Sequence, residues 1–213
     1  MDETSTTTTA RHLDAVLIEL ADLMSGVSAD RAHARTPCHE YDVAALRGHV
    51  LGWLTAFTDG FTDPEGRCSD PEQVAVDGDG ARQVRDLAAR LRGVLPGAAA
   101  SPLVIGEAGM PGEMALSMIL WEYQVHGWDL AAATGATWDP DEDGVTASLL
   151  FAPAMLTPDY QGEGKPFAPR VPVPEEAPAL DRLVGLSGRD PRWSPDRTLT
   201  PPRSATAGSG GAR

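Results

Sequence analysis

Residues 112–134 read Gly-Glu-Met-Ala-Leu-Ser-Met-Ile-Leu-Trp-Glu-Tyr-Gln-Val-His-Gly-Trp-Asp-Leu-Ala-Ala-Ala-Thr and are followed by Gly135. The run is too long for a strand and too polar for a membrane span. Its apolar residues recur at three- and four-residue steps, so it reads as one long helix with glycine as its stop. Glu122 and His126 stand four residues apart and therefore share a helix face, about one turn from each other. That face also carries apolar residues, so the pair points towards a core. A carboxylate and an imidazole aimed inward need a partner to offset the loss of water.

The rest of the chain supplies helices for this one to pack against. From Ala10 to Val27, Leu13, Val16, Leu17, Leu20, Leu23 and Met24 form one apolar stripe. Asp42 is placed to cap a second helix from Val43 to about Thr58, with Val43, Leu46, Val50, Trp53, Leu54 and Phe57 inside. His49 lies beside that stripe. Residues 59–79 are rich in Gly, Asp and Pro and read as a loop. Ala81 to Leu95 predicts a third helix, with its arginines outside. Leu103 to Gly106 is an extended segment or a tight loop. A further helix is predicted from near Asp141 to about Leu156, shortened or kinked by Pro153.

The expected architecture is thus an all-α bundle of four main helices over residues 10–158. Residues 1–9 form a polar, frayed leader. Residues 159–202 form a Pro/Gly-rich C-terminal wrap with one short helix from Ala179 to Gly188, and residues 203–213 a disordered Gly/Ser/Ala tail.

Composition narrows the function. A formal net charge of −14 repels nucleic acid and anionic membrane surfaces. No apolar run approaches the roughly 20 residues of a membrane helix. The N-terminus has neither the basic start nor the apolar core of a secretory signal. Two cysteines, Cys38 and Cys68, make no CxxC pair and no disulfide framework, which reads as a reduced, cytoplasmic protein. The expected partner is a small molecule, and the chain is expected to be a monomer or a homodimer.

Within those bounds, Glu122, His126 and His49 form the leading constellation. Two imidazoles and a carboxylate from facing helices suit Zn2+, with Ni2+, Fe2+ and Mn2+ fitting the same donors, and three protein ligands leave one coordination position open. Asp129, three residues after His126, is placed to orient it or a bound water, or to bind directly. Spacing alone equally allows an ordinary i,i+4 hydrogen bond between Glu122 and His126. His12 and His33 read as surface histidines. His39 reads as a turn residue near a pocket mouth. Cys38 reads as a small buried residue or a reactive thiolate. Arg47 reads as a solvated arginine or a contact at the rim.

The run Thr36-Pro37-Cys38-His39-Glu40-Tyr41-Asp42-Val43 with His49, and the run Glu122 to Ala131, resemble two motifs of the mycothiol-dependent maleylpyruvate isomerase-like group of the DinB/YfiT-like superfamily. The ending from Val171-Pro172-Val173-Pro174 through Gly188-Arg189-Asp190-Pro191 resembles that of its small actinobacterial members. The resemblance implies a DinB-like four-helix bundle with zinc held by His49, Glu122 and His126. It also implies an enzyme in which a metal-bound thiol, mycothiol, or water serves S-transfer or isomerisation of a small electrophile. The other reading open to the same residues is a non-catalytic small-molecule or metal-binding bundle with a regulatory, resistance or biosynthetic-accessory role. The chain departs from the pattern at Tyr41, where tryptophan is usual. Its Pro-rich C-terminal part is also too short for the second domain of true maleylpyruvate isomerase, so maleylpyruvate itself is not the expected substrate.

Overall fold

A computed structural model describes residues 3–195 of the chain. Four long helices build the core: α1 (Glu3–Gly26), α2 (Val43–Thr62), α3 (Ala81–Ala98) and α4 (Gly112–Thr134). α1 packs on α3 and α4, and α2 packs on the same two helices, so α1 and α2 lie diagonally across the bundle. α5 (Glu142–Met155) lies against α4, and α6 (Ala179–Leu186) against α5 and α4. The protein is an all-α bundle, as its periodicity predicts. The segment after α3 is extended rather than a tight loop. Leu103–Ile105 (β1) pairs antiparallel with Ala108–Met110 (β2) across a turn at Gly106.

The helices form where apolar stripes meet. Leu13, Leu17, Leu20 and Met24 of α1 are buried in one core cluster with Leu46, Leu51 and Leu54 of α2 and the inner faces of α3 and α4. Each such side chain contributes roughly 1.5–3 kcal/mol of burial. Asp42 caps α2, its Oδ1 accepting the Ala45 N–H at 2.8 Å, while Oδ2 pairs with exposed His33 at 3.0 Å. The exposed arginines of α3 reach across its neighbours: Arg85 to Asp22 and Arg92 to Asp14 on α1, and Arg90 to Asp59 on α2. Such solvated pairs each add at most about 1 kcal/mol. They orient α3, and the core holds it.

Three expectations are corrected. Residues 3–9 are not a frayed leader. They extend α1, and the Thr6 hydroxyl lies 3.5 Å from Glu113 at the start of α4. Adding turns to a helix already docked through Leu13 to Met24 is far easier than nucleating one, so threonine's modest propensity suffices. His12 is not at the surface. It is buried with Nδ1 2.8 Å from Asp141 at the start of α5, against Gly144, which has no side chain to displace it. Arg47 is neither solvated nor at a rim. It is buried, and Nη2 donates to the carbonyls of Met24, in the last turn of α1, and of Val27, just past its end. The expected tail, 203–213, lies outside the described residues, as do residues 196–202 of the wrap.

Gly127 decides how closely the segment after α4 can approach it. The Trp138 indole lies flat on that glycine and donates to the Gln124 carbonyl at 3.0 Å. A Cβ on Gly127 would sit 2.1 Å from Trp138 Cζ2. Gly127→Ala is therefore expected to destabilise the fold by about 1–3 kcal/mol in urea unfolding. Gly93→Ala on α3, where a Cβ meets nothing within 4 Å, is expected to stabilise it by up to about 1 kcal/mol.

Candidate metal centre

His49 on α2 and Glu122 and His126 on α4 come together, with one ligand atom from each lying within 4.8 Å of the other two. His126 Nε2 is 3.2 Å from Glu122 Oε2. That matches the ~3.3 Å between neighbouring ligands on a tetrahedral ion with bonds of about 2.0–2.1 Å. The two imidazole rings meet edge to face, their centroids 4.9 Å apart at 77°.

Each imidazole has its other nitrogen engaged. His126 Nδ1 is 3.1 Å from Asp129 Oδ2, and His49 Nδ1 is 3.0 Å from the Tyr41 hydroxyl. Both contacts occupy Nδ1 and leave Nε2 as the nitrogen available to a ligand, the division of roles that fixes tautomer and ring orientation in histidine-ligated metal sites. Tyr41 is placed by the turn before α2, where the Thr36 hydroxyl lies 2.7 Å from the Tyr41 carbonyl oxygen. Its ring also packs on His49, with centroids 4.7 Å apart.

Behind Asp129 stands Arg189, contributed by the segment after α6. Its Nη2 donates to Asp129 Oδ2 at 3.0 Å and its Nε to Oδ1 at 3.3 Å, while Nη1 donates to the Ser187 carbonyl. Asp129 is fully buried. It orients His126, as one of the roles open to it from sequence, and does not itself join the three-residue cluster. Sequence spacing gives no sign of Arg189, which is 60 residues away from Asp129.

Electrostatics link these groups. Burial pushes the His126 imidazolium down, but hydrogen bonds to Asp129 and Glu122 outweigh it and raise its pKa to about 9. Burial pushes Glu122 up, and the bond to His126 outweighs that and holds it below the usual carboxylate range. Asp129 is likewise lowered, burial being outweighed by the Arg189 charge and then by His126. At His49, burial and then the positive charge of His126 bring the pKa down to about 4. At neutral pH, then, Glu122, His126, Asp129 and Arg189 form two compensated charge pairs and His49 is neutral. A metal ion bound by these ligands displaces the proton on His126.

The cluster opens on a cavity of about 570 Å³, whose walls include Cys38, Tyr41, Trp53, Phe57, Ile105 and Met118. His39 stands exposed at its edge. Burial pushes the Cys38 thiol up, so at neutral pH it is a protonated wall residue and not a reactive thiolate. Cys68 lies elsewhere, its thiol pushed up to about 11 by burial, and both cysteines are free. Residues Gly162 to Pro169 roof the cavity, with Phe167 resting on Trp121 at 5.5 Å between centroids.

"Uncharacterized protein Rv0738" and "Uncharacterized protein MT0763", from two strains of Mycobacterium tuberculosis, are each 31% identical to the chain over 172 residues. The match covers 81% of this chain and 92% of each relative. The chain belongs to their family. No family model matches it, and no solved structure does. The span shared with these mycobacterial relatives is long enough to take in most of the bundle.

The Asp129–Arg189 pair is expected to matter to the fold as well as to the site. Arg189→Ala leaves a buried carboxylate without its cation and should cost about 3–5 kcal/mol in denaturant unfolding. Arg82→Ala, which removes an exposed partner of Asp77, should cost at most about 1 kcal/mol. Equal effects would show that Asp129 does not depend on Arg189.

Proposed function

We propose that the protein is a metal-dependent enzyme of the DinB-like, mycothiol-dependent type, acting on a small electrophile in the cytoplasm. The observation that carries this reading is the convergence of His49, Glu122 and His126 at the floor of a cavity, each imidazole held from behind. The donor set fits a divalent ion, Zn2+ first: two nitrogens and one oxygen, with Glu122 ionised, His49 neutral and His126 having to give up its proton on binding. Three protein ligands leave a position open, and a bound ion would lower the pKa of a thiol or water held there.

The chain's own residues do the rest. Asp129 and Tyr41 keep the two imidazoles aimed, and Arg189 keeps Asp129 ionised and in place. The apolar walls and the 162–169 segment limit the water around the three side chains, which strengthens the field of the charged groups there. Cys38, protonated at neutral pH, does not compete as nucleophile, so the thiol in this reading comes from a cosubstrate.

Purified protein is expected to carry about one zinc per chain, and His49→Ala or His126→Ala to lose it while keeping helical circular dichroism. With cobalt in place of zinc, mycothiol is expected to produce a sulfur-to-cobalt charge-transfer band and to be consumed with generic electrophiles. Unchanged metal content in both variants would overturn the site. A cobalt spectrum indifferent to thiols would overturn the thiol and leave water, and tight ligand binding without turnover would favour a non-catalytic binding bundle.

A further inference from the structure

Two rows of side chains run away from the three ligands along the same cavity. On α2 they are His49, Trp53 and Phe57, and on α4 His126, Glu122 and Met118, each row stepping by four residues and so staying on one helix face. Both rows begin with ligands and end with apolar side chains. The Trp53 and Phe57 rings lie 5.3 Å apart. Ile105 of β1 also lines the cavity. No charged side chain from α2 or α4 lines it apart from the three at the floor, and the remaining charged lining residues belong to the loops before α2 and after α5 and to Arg189. The eight residue steps of helix from His49 to Phe57 span about 12 Å.

We propose that this cavity is a two-part site whose apolar lane, walled by Trp53, Phe57, Met118 and Ile105, takes the tail of an extended amphipathic substrate while its polar, reactive head sits at His49, Glu122 and His126. The proposal rests on the metal reading for the head and on the lane itself for the tail. The substrate class is a small molecule with an electrophilic polar end and an alkyl or aryl body, the two together roughly as long as the row from His49 to Phe57, about 12 Å. A second carboxylate is a poor match for the lane itself, because Trp53, Phe57, Met118 and Ile105 offer it no cation and carboxylates lose heavily on leaving water unpaired. Cavities of this size and lining suit small ligands of that kind.

A homologous series of straight-chain hydroxamates, from acetohydroxamate upward, tests head and tail separately. The hydroxamate binds an exposed metal position and the alkyl chain probes the lane. On the zinc-loaded protein, Kd measured by calorimetry is expected to fall by up to about fourfold per methylene and to level off once the chain fills the lane. Trp53→Ala, checked for folding by circular dichroism, is expected to reduce that gain per methylene. A Kd independent of chain length overturns the lane and leaves the metal site standing. Kd values that do not weaken on complete removal of metal by a chelator, with the chain-length dependence kept, leave the lane standing and overturn the metal reading of the head. No binding by any member to metal-loaded protein overturns the two-part site.

Discussion

His126 is held between two carboxylates, Glu122 one turn before it and Asp129 one turn after, with Arg189 closing the row. The rest of the structure is arranged around this buried line of charge. Placing four ionised groups in a helical core is costly unless each is matched, and the matching comes from two distant parts of the chain. α4 supplies three members. The segment after α6 supplies the fourth, and without it Asp129 would share the single positive charge of His126 with Glu122.

That requirement explains why a Pro- and Gly-rich stretch with little core of its own stays on the bundle. Its attachments are specific. Trp121 Nε1 donates to the Ser187 hydroxyl at 2.9 Å and Arg170 Nη2 to the Leu156 carbonyl at 3.1 Å, while within the stretch Gln161 Nε2 donates to the Leu186 carbonyl at 2.8 Å. Leu183 and Val184 of α6 are fully buried. One wrap thus completes the charge row from behind and, through residues 162–169, roofs the cavity in front. Fold and site share a support, so a change at Arg189 is felt in both. Arg47 does a similar service elsewhere, ending α1 rather than touching the site.

The helices were legible because burial imposes period 3.6 on sequence, and α4 runs over the bounds its pattern and its terminal Gly135 predict. The three clustered side chains were legible because two share a helix face and the third lies beside a strong apolar stripe. What sequence hid were contacts between residues far apart in the chain. Arg189 cannot be assigned to Asp129 from spacing, nor His12 to Asp141, and Arg47 looks like any surface arginine until the end of α1 is placed beside it. Tyr41 lies eight residues before His49 across a loop and a helix start, so only the turn closed by Thr36 shows that its hydroxyl reaches the ring. The N-terminal threonines misled for a different reason: local propensity describes an isolated segment, and a helix already docked extends past it.

X-ray absorption at the zinc edge of the purified, zinc-loaded protein tests the central claim most directly. The account predicts a shell of nitrogen and oxygen at about 2.0–2.1 Å with the outer-shell signature of two imidazoles and no sulfur. On addition of the thiol cosubstrate, a single sulfur should appear at about 2.3 Å. A first shell containing two sulfurs before any thiol is added, or one lacking imidazole, would contradict it, because the ion would then be held by residues other than His49, Glu122 and His126.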